Sequence, residues 1–408
     1  MNVEFPLFAV SERSDSDRRA GSIFCRSSLT RAVQRIALGS AFLLVLGWGQ
    51  PKANAQVTIL HSFGDGTVPN DGALPLVGLI QAPDGNFYGC TVSTATVFER
   101  KQGTVFQMTT GGTVTTIQTF TKGSYISYPA VYDDGKLIAI VFGAVSTNSK
   151  LFGLTKSANG VWSKKAWYSF TLSGPYNPAG NPILATDGDL YGVSSGGGSN
   201  KLGVVYNVNP STHQLKTISN FTFGGLASGP NTALFQATDG NFYGGTNAVA
   251  APGKIFKVTP AGEISTFYTF STIAIGLVGP LIQGSDGNFY GAAGILVFQL
   301  KPGGTFKVLH TFGQGTDGKG PAGAVAQGPN GNLYGLCVVG GTAGNGTIYE
   351  ISTDGSSYSV LHNFGDGSVP NDGQNPSGSL LLGADNNFYG TTEFGGSARK
   401  GTIFKVSP

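Results

Sequence analysis

Asp84-Gly85-Asn86-Phe87-Tyr88-Gly89 is the stretch on which the reading of this chain turns. It returns as Asp187-Gly188-Asp189-Leu190-Tyr191-Gly192, Asp239-Gly240-Asn241-Phe242-Tyr243-Gly244 and Asp286-Gly287-Asn288-Phe289-Tyr290-Gly291. Two more copies are Asn330-Gly331-Asn332-Leu333-Tyr334-Gly335 and Asp385-Asn386-Asn387-Phe388-Tyr389-Gly390. A degraded copy, Asp134-Gly135-Lys136-Leu137-Ile138-Ala139, brings the total to seven, spaced 44 to 55 residues apart. A period of that length is the mark of a repeat architecture.

Each copy sits among four strand-like pieces. In the first unit these are Leu76–Gln81, Asn86–Thr91, Thr104–Met108 and Val114–Phe120. The Asp-Gly and Gly-Gly pairs between them suit tight turns, because Gly accepts the positive φ that hairpins need. Four short antiparallel strands per repeat form a β-propeller blade, so the expected fold is all-β, a seven-bladed β-propeller. The chain ends on a third strand, Gly401–Pro408, while an orphan strand at 57–63 matches the fourth-strand type of Thr305–Phe312 and Tyr358–Phe364. That N-terminal strand is expected to complete the last blade and close the ring. A parallel β-solenoid would need no such permuted strand. Composition agrees: 64 of 408 residues are Gly, and charged residues are 12% against a usual ~25%, which excludes a coiled coil and a disordered tail.

Residues 1–55 read differently from the remaining 56–408, which form the single propeller domain. Arg31 and Arg35 precede an apolar run from Ile36 to Trp48, followed by Ala53-Asn54-Ala55. That is the pattern of a secretory signal peptide cut after Ala55, and the run falls short of the ~20 residues that span a bilayer. Its seven basic and four acidic residues account for the formal charge of +3, and 18 of each sign remain. A neutral chain has no concentrated basic face for nucleic acid. Cys25 leaves with the leader. Cys90 and Cys337 fall in blades separated by another, so both are expected as buried free thiols.

The D-G-N-F-Y-G phrases, each followed by a Gly-rich stretch and a G-T-I-F-K-V strand such as Gly401–Val406, resemble the choice-of-anchor GloVer tandem repeats of exported bacterial proteins. The resemblance covers 57–408 and implies export. With no sorting segment after Pro408, release or periplasmic residence is expected over surface anchoring. It implies no reaction and carries over no catalytic residues.

Signatures of catalysis are absent: there is no G-x-S-x-G, P-loop, H-E-x-x-H or paired C-x-x-C. His61, His310 and His362 occupy one equivalent fourth-strand position, which suits a structural role and cannot converge on one metal. The repeated tyrosines suit packing or hydrogen bonding between blades. Sharper is Asp65-Gly66-Thr67-Val68-Pro69-Asn70-Asp71-Gly72, repeated as Asp366-Gly367-Ser368-Val369-Pro370-Asn371-Asp372-Gly373, with a shorter relative at Gly315–Gly318. Each joins one blade to the next, on the face that also carries the Gly-rich loops Ser195–Gly203, Gly340–Gly346 and Phe394–Gly401. Ring closure would gather Asp65, Asn70, Asp71, Asp317, Asp366, Asn371 and Asp372 on one rim sector, with Arg399 and Lys400 nearby. These loops are read first as local turn caps. The alternatives are a calcium site on Asp65, Asp71, Asp366 and Asp372, since hard cations take carboxylate and amide oxygens, or ligand contact.

The functional expectation is an exported, non-catalytic binding module for a polysaccharide or a cell-surface protein. It would be secreted, periplasmic or at the cell surface. Alternatives are a propeller enzyme of the lyase, lactonase or glycosidase type, and a structural scaffold of an envelope complex. For an enzyme, Glu99 and Glu393 are better candidates than Glu263 and Glu350, because they lie in loops between second and third strands.

Overall fold

In a computed structural model, the first strand, β1 (Val57–Ser62), is hydrogen-bonded to the last, β28 (Thr402–Val406). The residues described are 56–92, 103–120, 125–132, 136–142, 149–222, 229–246, 248, 251–272 and 275–408. The leader, Cys25, Glu99 and part of the degraded repeat copy lie outside them. The described strands belong to one compact unit, Ala53–Pro408.

All regular structure among the described residues is β, in four-stranded antiparallel sheets whose strands follow chain order except where β1 joins the last sheet. One sheet is β2 (Ile80–Gln81), β3 (Phe87–Thr91), β4 (Thr104–Met108) and β5 (Val114–Thr119). The next along the chain is β6 (Tyr125–Tyr132), β7 (Lys136–Phe142), β8 (Lys150–Lys156) and β9 (Trp162–Ser169). Then come β10 (Tyr176–Leu184), β11 (Leu190–Gly196), β12 (Val204–Val208) and β13 (Leu215–Asn220), followed by β14 (Phe235–Gln236), β15 (Phe242–Gly245), β16 (Lys254–Val258) and β17 (Ile264–Thr269). Further on lie β18 (Ile282–Gln283), β19 (Phe289–Ala293), β20 (Leu296–Leu300) and β21 (Phe306–Thr311), then β22 (Gly318–Gln327), β23 (Leu333–Gly340), β24 (Thr347–Ile351) and β25 (Tyr358–Asn363). The last sheet, β26 (Gly373–Leu382), β27 (Phe388–Gly395) and β28, takes β1 as its fourth strand, with Val57 opposite Val406 and Ser62 opposite Thr402. Six of these sheets are described with the side chains of all four strands. In the sheet β6–β9, the side chains of β6 and β7 lie outside the described residues. The fold is a β-propeller, and the four-stranded antiparallel sheets are its blades.

The repeated hexapeptide explains the turn between a blade's first and second strands, wherever that turn is among the described residues. Gly85 sits at φ 80°, and the Asp84 carboxylate accepts the Asn86 amide at 3.0 Å and the Tyr88 hydroxyl at 2.7 Å. In the last blade Asn386 holds the Gly position at φ 61°, as Asn tolerates the left-handed region better than other side chains. Having capped its own turn, each tyrosine turns its ring to the next blade. Tyr191 stacks on Phe242 at 4.2 Å between centroids, Tyr243 meets Phe289 at 4.7 Å, and Tyr334 meets Phe388 at 4.4 Å. Tyr389 reaches Phe87 at 4.1 Å, across the junction of last blade and first. Aromatic pairs of this kind contribute roughly 0.5–1.5 kcal/mol beyond area burial. The hydrophobic core therefore lies between blades, as a series of clusters.

The first strand of the first blade is shorter than its sequence predicts: Leu76–Gln81 yields only Ile80–Gln81. Near the propeller axis the chain leaves its ladder to pack on its neighbour. A Cβ on Gly78 would lie 2.9 Å from the Ser379 carbonyl, and one on Gly378 (φ 71°) would lie 2.2 Å from the Gly78 amide. Backbone meets backbone there, and only glycine permits it.

Candidate functional site

The acidic connections are straps. His61 on β1 donates from Nε2 to Asp71 Oδ2 at 2.9 Å, and the same carboxylate accepts the Gly64 amide at 3.0 Å. The second copy repeats this: His362 on β25 meets Asp372 Oδ2 at 3.0 Å, with the Gly365 amide at 2.6 Å and the Gly373 amide on Oδ1 at 2.8 Å. In the short copy His310 meets Asp317 at 2.8 Å, and Asp317 also accepts from the Gly318 amide and the Tyr358 hydroxyl. Asp71 is 3% exposed and His362 7%, so both long-strap pairs are removed from water. Each histidine also stands edge-on to the phenylalanine two residues on: Phe63, Phe312 or Phe364.

The rest of each strap crosses to the following blade. The Thr116 hydroxyl on β5 donates to the Asn70 carbonyl at 3.2 Å, and Val68 and Val369 pack into inter-blade core clusters. Asn70 and Asn371 hold left-handed turns at φ 55° and 53°. The remaining carboxylates close short loops. Asp65 accepts from the Thr67 amide at 2.9 Å and its hydroxyl at 2.6 Å, and Asp366 accepts from the Ser368 amide at 2.8 Å. Slight burial opposes ionisation of Asp65, but the Thr67 hydrogen bonds still hold its carboxyl below the usual range. The Ser368 hydrogen bonds do the same for Asp366.

Lys400 lies beside the first strap, and Arg399 precedes it in the Gly396–Gly401 loop. Arg399 forms a left-handed turn at φ 57° with its amide on the Gly396 carbonyl at 3.2 Å. The Lys400 carbonyl accepts the Leu74 amide at 2.9 Å, and its side chain lies over Gly64. The straps and the Gly-rich loops do share a face, because Gly341 and Gly396 donate to the Asp317 and Asp372 carbonyls at 3.0 and 2.9 Å. The four carboxylates proposed as calcium ligands are nonetheless engaged by separate local partners. Among the described residues no group of three or more His, Cys, Asp or Glu could hold a metal ion.

Sequence reasoning assigned the histidines and the acidic loops separate roles and missed that they are partners. The signal was present: ten residues separate His from its Asp in both long copies. It also missed the role of Glu350. Where Asn330 replaces the usual Asp, the Glu350 carboxylate accepts from Asn330 at 3.0 Å, Asn332 at 2.7 Å and Tyr334 at 2.9 Å. It supplies the missing charge from the neighbouring strand. Glu263 is placed in the β16–β17 turn, its amide on the Thr259 hydroxyl. Cys90 and Cys337 are free and buried, and burial pushes the Cys337 thiol up to about 12.

The inner strands leave a cavity of about 330 Å³ between Leu76–Leu79, Gly180–Ile183, Asn231–Leu234, Val278–Pro280, Gly323 and Gly378–Ser379. These segments come from six blades, which places the cavity on the propeller axis.

None of the curated proteins matches the chain. Among solved structures it is similar in fold to a streptogramin B lyase, with a TM-score of 0.58 and 14% identity over 87% of this chain and 98% of that one. The virginiamycin B lyase of Staphylococcus aureus gives a TM-score of 0.58 and 13% identity, over 87% and 99%. The extracellular domain of a hybrid two-component system from B. thetaiotaomicron gives 0.56 and 12%, over 86% of this chain and 39% of that one. At these identities the likeness is one of fold. Residues 130–296 and 294–408 both match the profile of the Gloeobacter/Verrucomicrobia repeat, and with the same hexapeptide turn recurring through the ring, the chain belongs to that repeat family.

Proposed function

We propose that this chain is an exported recognition module: a seven-bladed ring, delivered by a leader at 1–55 that is cut after Ala55, which binds carbohydrate or a cell-surface partner without turning it over. One observation carries this reading. The ionisable side chains that recur around the ring are tied into the frame, His61, His310 and His362 to Asp71, Asp317 and Asp372, and the turn carboxylates to their tyrosines. General acid–base chemistry needs a proton-transferring group within reach of substrate, whereas these groups hold blades and turns together. The sheet β6–β9 supplies the seventh blade of the proposed ring. The extracellular setting of the two-component-system domain is consistent with export.

The test is to express the full chain in a host with an export pathway and sequence the N-terminus of the exported protein. That protein is then incubated with immobilised polysaccharides while released soluble product is assayed. An N-terminus at Gln56 with retention and no product is expected. Product that disappears in Glu393→Gln would replace this reading with an enzyme.

A further inference from the structure

We propose that the axial cavity is the binding site, and that it takes a neutral, hydroxyl-rich ligand the size of one sugar ring, either a free monosaccharide or the end of an uncharged glycan. This deepens the recognition reading and rests on it.

The wall dictates the chemistry. Among the described residues no Asp, Glu, Lys, Arg or His lines the cavity, so a charged ligand would lose hydration there with no described counter-charge to offset it. The polar groups are amides and hydroxyls. Thr232 Oγ1 accepts the Gly245 amide at 2.8 Å and Ser379 Oγ accepts the Ala324 amide at 2.8 Å. Each hydroxyl is thereby oriented with its proton left to donate. Asn231 donates from Nδ2 to the Leu277 carbonyl at 3.3 Å, while its Oδ1 has no partner. Beside these stand Leu76, Leu234 and Val278, and Val278 remains 41% exposed. Hydroxyls and aliphatic side chains thus alternate around the wall, a mixture that suits a sugar ring, which carries both hydroxyls and C–H faces.

Size and stiffness point the same way. About 330 Å³ lies at the low end of the ~300–1,000 Å³ range of small-molecule sites, which suits one ring and not an internal polymer segment. The wall cannot close around less. A Cβ on Gly323 (φ 65°) would lie 2.6 Å from the Gly378 carbonyl, and one on Gly279 would lie 2.5 Å from Gly323. Neighbouring backbones already touch, so the site is preformed and little ordering entropy is lost on binding.

The test uses the full exported protein and isothermal titration against neutral monosaccharides, neutral oligosaccharides and the matching uronic acids. Val278→Trp fills the cavity from an exposed wall position, Val278→Asp adds a charge without bulk, and Val308→Trp on β21, also exposed, is the control. Wild type and Val308→Trp are expected to bind a neutral saccharide and to prefer it at least tenfold over its uronic acid. Val278→Trp and Val278→Asp should each weaken binding at least tenfold. Competition by free monosaccharide against an oligosaccharide with the same terminal sugar identifies which source occupies the site. If both Val278 variants bind as wild type does, the axial assignment is overturned and the recognition reading stands. If wild type binds only uronic acids, the neutral-ligand assignment is overturned. If it binds no saccharide, the carbohydrate reading falls with it.

Discussion

The amide of Ala384 donates to Oε1 of Gln81 at 2.9 Å across 303 residues of chain, and Gln81 Nε2 donates to the carbonyl of Gly85 in its own turn at 2.9 Å. Gln236, Gln283 and Gln327 repeat the arrangement, accepting from Thr186, Thr238 and Ser285 in the preceding blade. The glutamine is a clamp that fixes one blade's turn to the next. Removing one is expected to cost about 1 kcal/mol, the net worth of a typical hydrogen bond. Gln283→Leu should therefore lower the melting temperature by a few degrees in a calorimetric scan.

The clamp needs an N–H on the preceding blade, and Pro83 and Pro329 have none. The blades that follow them carry Val131 and Leu382 where the glutamine would stand. Pro329→Ala with Leu382→Gln is expected to build a clamp that neither change builds alone. A double-mutant cycle read by chemical denaturation should show favourable coupling of about 1 kcal/mol. Additive effects would mean that the proline pattern is incidental.

Asp372 accepts from His362 and from two backbone amides in a buried site. Asp372→Ala leaves three donors without an acceptor and should cost about 3 kcal/mol, in the range for breaking a buried pair. His362→Ala should cost less, and the two together less than their sum. Because the rim carboxylates serve separate pairs, calcium and a chelator should leave the melting temperature unchanged. A calcium-dependent rise would restore a metal site on the rim.

Partial burial opposes ionisation of Asp239 and Asp385, yet their hydrogen bonds hold both carboxyls at about 2. A carboxyl held low in the folded chain contributes stability above its ordinary value near 3.8. That contribution fades as pH falls from about 4 toward 2. Burial and the Asp187 carboxylate raise Tyr191 to about 12, and burial with Glu350 raises Tyr334 similarly. Their contribution is present below pH 10 and is lost as pH climbs toward 12. Thermal scans across pH should fall off at both ends, and Asp385→Asn should flatten the acid limb. Ultraviolet phenolate titration should show tyrosines that ionise only well above the ordinary value.

Cys90 and Cys337 are expected to ignore a thiol reagent in the folded propeller, since burial keeps each thiol protonated. Both should react at once in denaturant. Reaction of the folded protein at a rate matching exposed thiols would contradict the packing described.

Much of the fold was legible because the hexapeptide encodes a turn that depends on its own residues: the Asp accepts, the Gly takes positive φ, and the Tyr reaches back four positions. Closure was legible because a strand type absent at Gly401–Pro408 appeared at 57–63. What lay beyond reading were contacts between repeats. Gln81 is an unremarkable strand residue until Ala384 is placed beside it, and Glu350 makes sense only once Asn330 is seen to lack a carboxylate. The rim acids were read first as local turn caps, and sequence spacing could not show that Asp71 and Asp372 are the partners of His61 and His362. The axial cavity was missed because its wall is largely glycine and aliphatic, which carries no chemical signature.

The pairing of β1 with β28 also sets an order of events. Val57 to Ser62 emerge early in synthesis and have no sheet to join until Thr402 to Val406 have followed. Intermediate blades can form from local hairpins, but the ring stays open, with an unpaired edge on its last blade, until Thr402–Val406 have been made and β1 has docked on them. Such long-range closure is slow, and an open edge invites pairing with other chains. The interval between the synthesis of β28 and the docking of β1 on it is the period of greatest exposure to aggregation.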